Sequence, residues 1–169
     1  MKNQIVRRLT ANAIVAALYF VLTWASSPIA FLGIQVRISE FLLLLCFFNK
    51  DYIAGVTIGT LLANLMSPML PWDLIFGTLA TLIAAVGIAF FPRYLLPAAF
   101  IPAVVNGFIV AAELHIILED PFWINVGFVA AGEVIAVVGL GYSLMMILRR
   151  IPRFMELIGA NQNLDLSGK

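Results

Sequence analysis

The chain has 169 residues, of which 63% are hydrophobic and 11% charged, with a mean hydropathy of +1.04 and a formal net charge of +1. A soluble domain of this size carries roughly a quarter charged residues, so the composition excludes a soluble fold and points to an integral membrane protein. Long continuous apolar runs, rather than short alternating ones, favour helices over an outer-membrane barrel, and the near-zero net charge gives no sign of a nucleic-acid partner.

The first apolar run covers residues 10–27. Lys2, Arg7 and Arg8 precede it, a pattern superficially like a signal peptide. No clear small-residue cleavage site follows, so the run reads as a retained first span. It carries Ala13-Ile-Val-Ala-Ala17, an AxxxA stripe. The second and third runs, 33–48 and 52–67, are short for a span of about 20 residues. The second holds Arg37 and Glu40, whose i,i+3 spacing lets them share a face, and the single cysteine, Cys46, which reads as core. The third holds Gly55-Val-Thr-Ile-Gly59, continued by Ala63 and Ser67, with Asn64 among them. The fourth run, 74–91, repeats small residues at Gly77, Thr81 and Ala85. Such stripes let helix backbones approach closely, either within the chain or against another membrane protein.

The fifth run, 95–118, contains Asn106 and Glu113, seven residues apart and so on one face. Pro97 and Pro102 fall early in it and either kink it or delay its start. The sixth run, 122–148, contains Glu133. Turn chemistry separates the runs at Ser26-Ser27-Pro28, Asn49-Lys50-Asp51, Ser67 to Pro71, Pro92-Arg93 and Glu119-Asp120-Pro121. The expected fold class is therefore an all-α integral membrane domain of six transmembrane helices. It occupies 1–169 as a single unit with a short polar tail.

Six spans put both termini on one side. Lys2, Arg7, Arg8, Lys50, Arg93, Arg149, Arg150, Arg153 and Lys169 then share that side, nine of the ten basic residues. The positive-inside rule makes it the cytoplasm. Arg37 is the exception, and the outer loops carry Asp73, Glu119 and Asp120 instead.

Within the spans the ionisable groups need a reason to be there, since a mid-bilayer charge costs about 2.5–3.5 kcal/mol on insertion scales. Arg37 and Glu40 fit either an intrahelical ion pair or a site. Asn64 and Asn106 fit either interhelical hydrogen bonding or a site. Glu113 and Glu133 have no basic neighbour in sequence, which suggests a cationic or donor-rich ligand, protonation or a coupling ion. Trp24, Trp72 and Trp123 fall near outer ends as an aromatic belt would; Trp72 and Trp123, beside acids, also suit stacking on a flat ligand. His115 forms no HExxH pattern, and Glu113-Leu-His115 does not place both side chains on one face, so no metal site is expected. No G-x-x-x-x-G-K-[ST] loop is present to bind nucleotide.

These residues carry a resemblance. Gln35-Val-Arg37-Ile-Ser-Glu40, then Gly55-Val-Thr-Ile-Gly59-Thr-Leu-Leu-Ala-Asn64-Leu-Met-Ser-Pro68, then Asp73-Leu-Ile-Phe-Gly77-Thr-Leu-Ala-Thr81, followed by Asn106-Gly107, Glu113 and Gly132-Glu133, resemble the substrate-binding (S) components of energy-coupling factor (ECF) transporters. Within that group the chain is similar to the queuosine-precursor transporter family, QueT. The resemblance implies six helices with cytoplasmic termini in a bacterial plasma membrane. It implies a substrate that enters from outside and binds near the outer face, under the loop 26–36. It also implies a coupling transmembrane subunit docked at Ala13 and Ala17, two cytosolic ATPase subunits that hydrolyse ATP, toppling of the S component during transport, and neither enzymatic activity nor cofactor in this chain.

The implied substrate is a deazaguanine base, queuine or a precursor. Its adjacent N–H donors suit one carboxylate and a cationic arm suits a second. The expected substrate-binding set is Arg37, Glu40, Asn64, Trp72, Asp73, Asn106, Glu113, Trp123 and Glu133. Glu113 and Glu133 are placed on the ligand, with Arg37 and Glu40 orienting or closing the outer loop. The competing readings are an S component for another vitamin-like molecule, a stand-alone ion-coupled carrier and a membrane scaffold.

Overall fold

The computed structural model describes residues 2–30, 36–90 and 93–160. Residues 31–35 of the loop expected over the site, and the tail from 161 that includes Lys169, lie outside them. The described residues are helical throughout, with no strand. The helices are α1 (Lys2–Ala25), α2 (Ile38–Phe48), α3 (Tyr52–Asn64), α4 (Trp72–Phe90), α5 (Leu95–Leu118), α6 (Phe122–Leu148) and a short α7 (Pro152–Leu157). A single helical turn, Ser27–Ala30, follows α1.

Four helices, α1, α4, α5 and α6, are long and apolar enough to cross a membrane. The other two runs give shorter apolar helices. Several boundaries differ from the sequence reading, among them the start of α4 at Trp72 rather than Leu74. Helix α1 starts at Lys2 rather than Thr10, because the residues before the apolar run are good helix formers and continue the helix past the hydrocarbon. Helix α3 stops at Asn64 rather than Ser67, where tight turns lead to Pro71. Helix α5 begins at Leu95, so Pro97 sits in the first turn, where a missing N–H costs nothing; Pro102 lies inside the helix.

Helix α2 explains the architecture. Most of its residues from Ser39 to Phe48 are buried on every side, the signature of a helix enclosed by others. Around it α1 packs on α3, α3 on α4, α4 on α5 and α5 on α6, while α2 itself joins α1 to α6. Two glycines make this closeness possible. A Cβ at Gly59 would lie 2.6 Å from Tyr19 Cβ and 3.0 Å from the Ala16 carbonyl. A Cβ at Gly141 would lie 2.8 Å from Phe41 Cβ. The GxxxG of α3 is thus an intrachain face. It meets Asn12, Ala16 and Tyr19 of α1, and Asn12 Oδ1 accepts the Gly55 backbone N–H at 2.6 Å. Ala13 and Ala17 stand on the other side of α1, exposed.

Helix α6 changes its winding at Glu133. It is α-helical to that residue and π-helical over Val134–Tyr142, and it returns to α at Ser143. Such wide turns leave the regular i→i−4 ladder and occur often at functional sites.

Candidate functional site

The chain reverses between successive helices, so the start of α2, the end of α3, the start of α4, the end of α5 and the start of α6 gather at one end of the bundle. The buried polar residues gather there and extend inward. Glu40 sits near the start of the enclosed α2 and is 1% exposed. Its Oε1 accepts the Tyr19 hydroxyl from α1 and lies 3.9 Å from Arg37 Nη1. Beside it Thr23 and Ser39 share a hydroxyl hydrogen bond of 2.6 Å between α1 and α2.

On the neighbouring helices, Asn64 donates from Nδ2 to the Asp73 carbonyl at 2.8 Å and to Thr78 Oγ1 at 3.3 Å. This closes the α3–α4 corner. The Ser67 hydroxyl donates to the Asp73 carboxylate, and Ser67 Oγ accepts the Met69 N–H at 3.0 Å. Across α5 and α6, Asn106 Nδ2 donates to Glu133 Oε1 at 2.5 Å. Glu113, two turns along α5 from Asn106, is fully buried and interacts with Asp73.

Electrostatics join these corners into one cluster. Arg37 lies within reach of Glu40, Asp73 and Glu133. Glu113 feels Asp73 and Arg37, and Glu133 feels Glu40 and Arg37. Four buried carboxyl groups therefore share the field of one guanidinium. The orphaned atoms are more informative still. Glu40 Oε2, Asn64 Oδ1, Asn106 Oδ1, both oxygens of Glu113 and Glu133 Oε2 are buried with no hydrogen-bond partner among the described residues. All of these are acceptors. Asn125 Nδ2 is the one donor in the same condition, on the buried stripe of α6 that also carries Val129 and Glu133. Buried polar groups are nearly always satisfied, so this arrangement is complementary to a ligand rich in N–H donors.

Seven of the nine substrate-binding candidates, namely Arg37, Glu40, Asn64, Asp73, Asn106, Glu113 and Glu133, are buried and brought together. Trp72 and Trp123 are not: they are 42% and 74% exposed. Trp123 instead stacks edge-on with Phe122 and Phe108 on the outer surface of α5 and α6. His115 is exposed and bonded through Nδ1 to the Asp120 carbonyl at 2.7 Å. Among the described residues no group of three or more His, Cys, Asp or Glu side chains is arranged to hold a metal ion.

Sequence reasoning missed Tyr19, Thr23, Ser39 and Asn125. A usable signal existed for Tyr19: Asn12 and Tyr19 on α1, and Ser26 just past its end, recur at sevens, the spacing of one helix face. All three make hydrogen bonds within the chain.

The family model described as "QueT transporter" matches residues 9–150. The queuosine precursor transporter QueT of Lactococcus lactis subsp. cremoris (strain MG1363) is 38% identical over 149 residues, covering 79% of this chain and 87% of that protein. No solved structure matches the chain. An all-helical apolar bundle with a buried, acid-rich polar cluster, matched by the family over most of its length, belongs to the QueT transporter family.

Proposed function

We propose that this chain is the substrate-specific membrane subunit of an ATP-driven transporter, and that it binds a queuosine precursor, a deazaguanine base, in the acid-rich cluster. The observation that carries this reading is the set of orphaned acceptors on Glu40, Asn64, Asn106, Glu113 and Glu133. A guanine-like edge presents adjacent N–H groups to a carboxylate, and a charge-assisted pair of this kind is stronger than a neutral one. Four carboxyls sharing one guanidinium also favour a positive charge on the ligand, which an aminomethyl arm supplies. The similar Lactococcus protein is named a queuosine precursor transporter, which supports this reading.

In this reading Glu133, held by Asn106, and Glu113, beside Asp73, contact the ligand. Arg37 and Glu40 set the position of the segment that leads from the outer loop into α2. A site built on these acceptors rejects a base lacking the donors, because its buried groups would be left unpaired. The chain itself performs no chemistry in this reading.

We further propose that all six helices cross the bacterial plasma membrane, with both termini in the cytoplasm. Helix α3, at 13 residues, is about 20 Å long, and the turns at its ends complete the crossing. The basic residues support this orientation: Arg7, Arg8, Lys50, Arg93, Arg149, Arg150 and Arg153 gather at the end of the bundle opposite the acid-rich cluster. The exposed Ala13 and Ala17 on α1 suit close approach by a coupling transmembrane subunit, through which two cytosolic ATPases act. Motion of the whole subunit in the bilayer then carries the ligand inward.

Uptake of a labelled precursor into lipid vesicles tests this. Vesicles holding the chain with its coupling subunit and ATPases accumulate the base when ATP is enclosed, and vesicles holding the chain alone do not. Sustained uptake by the chain alone, driven by a proton gradient, would replace this reading with a stand-alone carrier.

A further inference from the structure

The opposite end of the bundle carries a second feature that the transport reading does not use. A cavity of about 200 Å³ lies between the start of α1, the α2–α3 turn and the residues after α7, lined by Arg7, Arg8, Asn12, Asn49, Asp51 and Tyr52 among others. It adjoins an apolar groove of about 260 Å³ on the flank of α1, α2 and α6, lined by Ile14, Leu18, Phe41, Leu45, Met145 and Leu148 among others. The two share Ala11, Tyr52, Leu157 and Ile158 along their boundary.

The charge at the polar end has a definite sign. Arg8 Nε lies 3.0 Å from Asp51 Oδ2, which leaves the Arg7 charge in excess within that cavity. Arg7 donates from Nη2 to the Glu156 carbonyl at 2.8 Å, and that bond to a neutral group does not cancel its charge. A third space beside it adds Arg153 and Glu156, which balance each other. The excess is one positive charge at the mouth of an apolar groove.

The length also fits one ligand class. From Arg7 to Leu18 is eleven residues of continuous helix, about 16 Å, close to half of a hydrocarbon core of roughly 30 Å. The cavity and groove thus pass from the membrane surface to mid-bilayer within one leaflet. The groove itself is apolar, lined by side chains of α1, α2 and α6 that include the exposed Ile14 and Leu18. Basic pockets between helices at the interface recognise anionic headgroups.

We propose that this cleft binds one anionic glycerophospholipid, its phosphodiester at Arg7 and Arg8 and an acyl chain in the groove between α1, α2 and α6. The proposal rests on the chain spanning a membrane, and not on the identity of the transported base.

Native mass spectrometry of the purified full-length chain, with phosphatidylglycerol or phosphatidylcholine added to the micelles, tests it. One phosphatidylglycerol per chain stays bound and phosphatidylcholine does not. Neutralising both arginines (R7Q with R8Q) lowers retention about tenfold or more. Since that variant also removes the Arg7 bond to α7, a second one is decisive. Leu18→Trp, at a half-exposed position, fills the groove while leaving the helix content and the basic cavity intact, and it too abolishes retention. Retention unchanged in Leu18→Trp overturns the proposal. So does equal retention of the two lipids, or release of the lipid by soluble glycerol phosphate, which would make the cavity a site for a free anion. Retention of neither lipid leaves the groove to a helix of another membrane protein and overturns it as well.

Discussion

Asn106 and Glu133 meet across the α5–α6 contact: the Asn106 amide donates to Glu133 Oε1 at 2.5 Å, and Glu133 Oε2 has no partner among the described residues. One oxygen is fixed by the protein and the other is left over. A carboxylate held this way loses little further freedom when a ligand N–H arrives, the general benefit of preorganisation. The change from α to π winding begins at the next residue, Val134.

Replacing Glu133 by Gln keeps the shape and removes the charge. Hydrogen bonds to charged groups contribute about 1.5–3 kcal/mol, so ligand affinity should fall roughly ten- to a hundredfold. Thermal stability of the empty chain should hold or rise, because an incompletely paired buried carboxyl has been removed. Calorimetry and a melting curve on the same preparation check both.

Substitutions at Glu113 and Asp73 test which end of the ligand these acids take. If they face a cationic arm, Glu113→Gln and Asp73→Asn should weaken a base with an aminomethyl arm about tenfold more than one with a neutral nitrile arm, the size of one charged hydrogen bond. Competition between the two bases measures this. Equal losses for both would move these acids to the ring edge.

Tyr19 links the buried polar cluster to the helix packing. Its Cβ packs on Gly59 and its hydroxyl donates to Glu40. Tyr19→Phe should cost about 1–3 kcal/mol of stability by leaving a buried carboxylate less satisfied. Gly59→Val should cost about as much by overpacking, since even a Cβ would come within 2.6 Å of Tyr19 Cβ. Both should lower ligand affinity as well as the melting temperature, because both shift Glu40.

Ala13 and Ala17 predict the reverse separation. They face away from the bundle, so Ala13→Trp with Ala17→Trp should leave ligand affinity within about twofold of the parent, as surface changes usually do. ATP-driven uptake in vesicles with the full set of subunits should be lost. Loss of binding together with uptake would mean that the stripe is structural.

The buried polar cluster was legible because charge is so costly in an apolar chain. Glu40, Glu113, Glu133, Asn64 and Asn106 stand out from the hydrophobic runs, and each proves to be buried in one cluster. The helix-packing role of Gly55 and Gly59 was legible as a stripe but its partner was not, since small-residue spacing says that something approaches and not what. The exposure of Trp72 and Trp123 was not legible, because nearness in sequence to Asp73 and Asp120 does not fix which side of a helix end a ring occupies. Tyr19, Thr23 and Ser39 were invisible as site residues: a hydroxyl in a membrane helix can bond its own backbone, as Thr57 and Thr60 do here. The enclosed position of α2 follows from tertiary packing, and a short apolar run over 33–48 does not announce it.

The most direct test of the central claim is calorimetric titration of the purified chain with queuine and its precursor bases, with guanine and thiamine as controls. The account predicts saturable binding of at least one deazaguanine base, with guanine and thiamine weaker by about tenfold or more, each lacking an arm or an edge that the orphaned acceptors require. A folded chain that binds no deazaguanine, or that binds thiamine more tightly, would contradict it.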